Sequence, residues 1–247
     1  MTGSTKTGET PAGFASALFG QSAREDLAHY TPHALATLAA AAWQHLAEPR
    51  PPGQPSLRIS DPEAADLAGI TLIEVVNDDM PFLLDSTLAE LDHQGCELRL
   101  VAHPILDLTR GPDGAMLSLG NEPGPGTTRE SLIHIHVTRL RDDACKARLF
   151  EELGKVYEGV RLAYSDWPAM RDQVARAAST YRNTPPNLPA DELAEAVQFI
   201  DWLAADNFTF LGLREYKLEE IGSINAPDFD AVGGSGLGIL RNPDVKV

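Results

Sequence analysis

Cysteine, lysine and aromatic side chains are scarce in this sequence, and each shortage excludes something. The two cysteines, Cys96 and Cys145, stand far apart, match no zinc-ligand spacing and supply no disulfide framework, so reduced thiols are expected. The five lysines, Lys6, Lys146, Lys155, Lys217 and Lys246, form no cluster. Basic side chains number 20 against 36 acidic ones, for a net charge of −16. The average field of such a surface repels a phosphate-rich partner, so no nucleic acid is expected. Aromatic residues are 6% of the chain while hydrophobic residues are 43%, so the core must be built from Leu, Ile, Val and Ala. Long apolar runs are missing too. Ala34 to Trp43 is the longest and is too short and Ala-rich to span a bilayer, so no membrane partner is expected. Met1 to Gly13 has no apolar segment of the signal-peptide kind, which points to the cytoplasm.

What remains reads as a sequence of units. Residues 1–13 are a polar, disordered tail, and residues 14–48 carry N-terminal helices. The second of these starts at Thr31-Pro32, a cap followed by a first-turn proline, and places Leu35, Leu38, Ala42 and Leu46 at helical spacing. Glu48 to Pro55 is a stiff, proline-rich linker. Residues 56–165 form the clearest unit: a strand at Thr71–Val76, a helix ending at Gly95, a strand at Cys96–Leu108, a strand at Leu132–Arg139, a helix at Asp142–Gly159 and a short strand at Val160–Tyr164. This order is β-α-β-β-α-β, and a four-stranded antiparallel sheet with both helices on one face closes it most simply, an α+β fold. Residues 166–205 are a helical connector beginning at Asp166-Trp-Pro. From 206 to 247 a second α/β domain begins, with strands at Phe208–Tyr216 and Leu237–Leu240, and its truncation is expected.

The corner Asn77 to Ser86 (NDDMPFLLDS) is the strongest candidate site. Asn77, Asp78, Asp79, Asp85 and Ser86 gather where a strand feeds a helix, whose first N–H groups and dipole suit a carboxylate. Acidic side chains beside it suit an ammonium group, so an amino acid fits both ends. The competing reading is that an aspartate merely caps the helix. His134 and His136 lie on one face of a strand and have metal-binding spacing without an evident Cys or Glu partner, so no metal is expected and ordinary sheet histidines are the simpler account. Gly233 to Gly238 fits neither a dinucleotide fingerprint nor a phosphate-binding loop, and a turn explains it better. No nucleophile elbow or catalytic triad order is present, so no catalytic residue is expected.

The β-α-β-β-α-β order, with a corner of the form Asn-Asp-x-Pro-x-Leu-Leu, resembles the ACT domain, a small regulatory amino-acid-binding module. Longer strings narrow the resemblance: Glu74–Ser86 (EVVNDDMPFLLDS), Val101–Pro104 (VAHP), Glu130–His134 (ESLIH), Asp166–Met170 (DWPAM), Asn207–Gly212 (NFTFLG) and Gly234–Arg241 (GSGLGILR). In this order and spacing, from Phe14 to Asn242, they are similar to the N-terminal region of the large bacterial NAD-specific glutamate dehydrogenases. The resemblance implies a parent enzyme that oxidises glutamate to 2-oxoglutarate and ammonia with NAD, its catalytic and NAD-binding domains downstream. It implies no cofactor in this segment, and a role in effector sensing or in assembly with other subunits of a homo-oligomer. One departure stands out. The ACT corner has glycine after proline, where this chain has Phe82, and a bulky ring there is expected to crowd the pocket. The alternatives are an architectural module without ligand, or a metal hydrolase using His134, His136 and the aspartate pair.

Overall fold

In the computed structural model, residues 10–120, 127–218 and 229–245 are described. Residues 1–9 of the expected tail lie outside them. The chain divides into two compact units, Met1–Tyr157 and Glu158–Val247.

The first unit opens with three helices, α1 (Phe14–Phe19), α2 (Arg24–Leu27) and α3 (Pro32–Ala47). The Thr31 side chain accepts from the Ala34 N–H and Pro32 occupies the first turn, so α3 starts where its cap dictates. Six strands follow: β1 (Ser56–Ser60), β2 (Ile70–Asp78), β3 (Leu98–Ala102), β4 (Ile105–Arg110), β5 (Met116–Leu119) and β6 (Thr127–Thr138). Helix α4 (Leu83–His93) joins β2 to β3. The sheet order is β1-β2-β6-β4-β5, with β3 also on β6, and every pairing is antiparallel. The α+β architecture expected from the element order is present, with two corrections.

The expected strand at Val160–Tyr164 does not exist. Those residues lie inside α5, a single helix from Asp143 to Asn183. Gly159 weakens a helix by about 1 kcal/mol but does not stop one. Pro168, expected in a first turn, also sits inside α5, where it lacks an N–H to donate. The edge place beside β2 is taken instead by β1, from upstream, with Leu57 opposite Val75 and Ile59 opposite Ile73. Second, the long strand expected at Cys96–Leu108 splits at His103-Pro104 into β3 and β4, which lie end to end along β6. Proline has no ladder donor, so the break falls there.

Alternation along β2 and β6 sorts the buried residues onto two faces. Leu72, Val76, Leu100, Leu106, Leu108 and Leu132 pack with Phe14, Leu18, Leu38, Trp43 and Leu46 of α1 and α3. Ile73, Val75, Ile133, Ile135 and Val137 point the other way and are fully buried with Leu83 and Leu91 of α4 and Leu149 and Leu153 of α5. The two helices meet where the Thr87 hydroxyl lies 2.6 Å from the Tyr157 hydroxyl.

In the second unit, α6 (Ala190–Trp202) runs into a π-turn at Leu203–Asn207. The strands expected at Phe208–Tyr216 and Leu237–Leu240 shrink to β7 (Gly212–Leu213) and β10 (Leu237–Gly238), which pair with each other. Between them β8 (Tyr216–Leu218) pairs with β9 (Phe229–Ala231). Asp166 fixes the glycine-rich turn: its carboxylate accepts from the Gly238 N–H at 2.7 Å and from Arg241 Nε and Nη2 at 2.6 Å each. Gly238 has φ +58°, and a Cβ there would sit 2.2 Å from the Leu211 carbonyl oxygen, so only glycine fits.

Candidate functional site

Strand alternation turns Asp78 away from the other corner residues. Asn77 points to the α4 side of the sheet and is buried, and its Oδ1 has no hydrogen-bond partner. Asp78, the next residue, points to the α3 side. There its Oδ1 accepts from Arg50 Nη2 at 2.5 Å and its Oδ2 from the Gly53 N–H at 2.9 Å. Asp78 therefore ties down the 48–55 linker and is turned away from the corner. Asp79 extends the β2–β6 ladder, its N–H donating to the Arg129 carbonyl at 3.0 Å, and its carboxylate lies 3.4 Å from Arg129 Nη2.

Phe82 sits at the N-cap of α4 with φ +71°, a left-handed conformation natural to glycine. Phe82 is 45% exposed. No side chain caps α4. Asp85, in the first turn, is exposed. The Ser86 N–H is spent inside the helix on the Phe82 carbonyl at 2.9 Å.

Two residues complete the corner. Ser131 lies directly opposite Asn77 in the β2–β6 register. Its hydroxyl is 2.5 Å from His103 Nε2. Burial lowers the His103 pKa, while the charges of Asp79 and Asp85 act against that. Both carboxylates therefore lie within electrostatic reach of the imidazole. The corner thus contains an unpartnered amide oxygen, a hydroxyl, an imidazole, two carboxylates and an uncapped helix N-terminus. Ammonium donors suit the first and the carboxylates; the free helix N–H groups suit a carboxylate. His103 and Ser131 fall inside the strings Val101–Pro104 and Glu130–His134, but no pattern of site chemistry marks them, since only the pairing of β3 and β4 on β6 brings them to the corner.

The opposite face holds a second polar system. Arg58 Nε and Nη2 donate to Glu74 Oε2 at 2.8 and 2.6 Å, and Glu74 Oε1 accepts from His134 Nδ1 at 3.0 Å. His134 Nε2 lies 2.8 Å from His136 Nε2, and His136 Nδ1 lies 2.9 Å from the Tyr30 hydroxyl. Glu74, His134 and His136 are fully buried. Burial pushes the Glu74 carboxyl up, but the His134 bond and the charges of His134 and Arg58 outweigh it and hold its pKa at about 2. Burial, reinforced by the His134 charge, holds the His136 pKa at about 2. The two histidines turn their Nε2 atoms on each other, and among the described residues no group of three or more His, Cys, Asp or Glu is arranged to hold a metal. This geometry does not support the hydrolase alternative.

Beside that chain, buried Glu130 accepts from Arg50 Nη2 at 2.6 Å and from Arg110 Nε at 2.7 Å and Nη2 at 2.9 Å. Arg110 also donates to the Leu46 and Glu48 carbonyls at 3.0 and 2.9 Å, satisfying oxygens that the end of α3 leaves free. Arg58 likewise reaches the Ala41 carbonyl at 2.8 Å. These arginines fasten the N-terminal helices to the sheet.

Comparison with known proteins adds a family. Residues 14–153 match the family model described as "Glutamate dehydrogenase, ACT1 domain". The NAD-specific glutamate dehydrogenase of Halomonas elongata is 33% identical over 204 residues, covering 80% of this chain and 12% of that protein. Its namesake in Pseudomonas aeruginosa is 26% identical over 173 residues, covering 68% and 11%. That of Mycobacterium tuberculosis is 25% identical over 185 residues, covering 72% and 11%. The chain thus spans 11–12% of the length of these curated relatives. Among the described residues no helix is long and apolar enough to cross a membrane.

Proposed function

The chain belongs to the glutamate dehydrogenase ACT1 family, and from that premise we propose that it is an N-terminal regulatory segment of a large NAD-dependent glutamate dehydrogenase. The parent enzyme converts L-glutamate, NAD and water to 2-oxoglutarate, ammonia and NADH in the cytoplasm. Catalysis and NAD binding belong to other parts of that enzyme. The glycine-rich turn of this chain does not fit NAD, because the Gly238 N–H already faces the Asp166 carboxylate, which would repel a pyrophosphate.

The segment's own task is to sense an amino acid at the Asn77 corner. The observation that carries this reading is the Asn77 Oδ1, buried and unpartnered beside an uncapped helix start. An unsatisfied buried oxygen costs about 1–3 kcal/mol, and an ammonium donor would remove that cost. Asp79 and Asp85 supply the matching negative charge, and the first N–H groups of α4 receive the carboxylate. Asp78 has no part in the site, and Ser86 contributes through its hydroxyl alone. Removing the exposed Asp85 carboxylate by Asp85→Ala weakens amino-acid binding about tenfold in calorimetric titration and leaves the fold intact. Unchanged affinity in a folded variant would remove the corner from the account.

A second role, assembly with other subunits of a homo-oligomer, is favoured by the exposed ring of Phe82 and by Ile105, which is 46% exposed. The two roles are compatible, since a ligand at the rim of an interface biases association.

A further inference from the structure

The other end of the β6 strand carries a feature that the corner does not use. A pocket of about 310 Å³ opens between the end of α4, the end of β6 and the start of α5. Arg139, Arg141 and Arg148 line it together with Glu97, Cys96 and Cys145. In a chain with 36 acidic and 20 basic side chains, three guanidiniums around one cavity are a local concentration of positive charge.

Their commitments differ. Arg139 is partly engaged, with Nη2 3.2 Å from Asp61 and Nη1 donating to the Ala68 carbonyl at 3.3 Å. Arg141 and Arg148 have no hydrogen bond or ion pair among the described residues. The opposing carboxylate of Glu97 is held by Arg99 at 3.2 Å and by the Thr138 hydroxyl at 2.8 Å. Burial raises the Cys96 thiol pKa, the Cys145 and Glu90 charges add to the rise, and the Arg148 charge opposes it, so that guanidinium and the Glu90 carboxylate both act on the pocket wall.

A single carboxylate would satisfy one guanidinium fork and leave positive charge uncompensated. A tetrahedral phosphate carries up to two charges and enough acceptor oxygens for two forks at once. The volume is at the lower end of ligand pockets and admits a small molecule, not a polymer. We propose that this pocket binds the phosphate group of a small metabolite, with Arg141 and Arg148 as its main ligands and Arg139 as the third. The proposal is independent of the amino-acid reading of the Asn77 corner, at the other end of the sheet.

The cysteines make the pocket testable, because the only two thiols of the chain line it. Alkylation of Cys96 and Cys145 by uncharged N-ethylmaleimide, followed by mass spectrometry of the 247-residue chain, reports occupancy directly. Inorganic pyrophosphate is expected to slow alkylation several-fold and saturably, while sodium chloride at matched ionic strength does not. Arg141→Ala combined with Arg148→Ala abolishes the protection; both side chains are exposed, so the core is undisturbed. Equal protection by chloride, protection that survives the double substitution, or no protection at all would overturn the proposal. Protection by malonate without protection by pyrophosphate would overturn the assignment to phosphate.

Discussion

The two faces of the central sheet solve the same burial problem differently, one with apolar side chains and the other with apolar side chains and paired charges together. Toward α4 and α5 the sheet presents Ile73, Val75, Ile133, Ile135 and Val137. Toward the N-terminal helices the same two strands present Glu74, Glu130, His134 and His136, all buried. The apolar face is held by area removed from water and tolerates changes of shape gradually. The other face adds to its apolar core, Leu72, Val76 and Leu132 against α1 and α3, a set of paired charges, each acceptable only while its partner is present. The proposed amino-acid site lies in neither interior but at the edge of the apolar face, where the Asn77 Oδ1 lacks a partner. A polar group that the fold fully satisfies is structural, and one left unsatisfied beside a helix start is a candidate for a ligand.

Breaking the polar face gives the largest effect expected. Glu130→Ala leaves Arg110 without its carboxylate and Arg50 with Asp78 alone, and it is expected to cost about 3–5 kcal/mol in urea denaturation. A loss below about 1 kcal/mol would mean the pairing does not hold that face together.

Acid attacks the same face more gently. Glu74 and His136 both have folded pKa values of about 2, below their ordinary values of 4.5 and 6.5. The unfolded chain therefore binds more protons throughout that window. Stability is fully present above pH 6.5, declines as pH falls through 6.5 because unfolded His136 takes up a proton, and declines further below 4.5 when unfolded Glu74 does so. The thermal midpoint is expected to fall from pH 7 to pH 4; an unchanged midpoint would contradict the placement of these groups.

The smallest effect sharpens the comparison at the corner. Phe82→Gly relieves a left-handed φ at the cost of a half-exposed ring, and it is expected to raise stability by about 1 kcal/mol. A fall in sedimenting mass in the same variant would assign the Phe82 ring to a subunit interface.

Much of this fold is legible in the sequence because local signals agree with tertiary ones. Thr31-Pro32 caps α3, β-branched runs mark β2 and β6, and Gly95, with φ +70°, follows the end of α4. The fourth strand is not legible. Val160–Tyr164 has a strand's composition, but a helix already under way continues through it, and β1 fills the edge from upstream. The polar face is hidden for a related reason. Alternation in Leu132–Val137 separates two faces without saying that helices cover both, so His134 and His136 read as ordinary sheet residues. At the corner, composition identifies the segment and alternation then removes Asp78. His103 and Ser131 enter only through the pairing of β3 and β4 on β6, a long-range register that no local pattern encodes.

The most direct test of the sensing role is a thermal-shift screen of the chain against single amino acids, with 2-oxoglutarate and NAD alongside. A ligand at about 100 times its dissociation constant adds roughly 2.7 kcal/mol, a visible rise in midpoint. The account predicts a rise with one or a few amino acids that Asp85→Ala diminishes, and none with NAD. A flat response to every amino acid, or a rise that Asp85→Ala leaves intact, would contradict it.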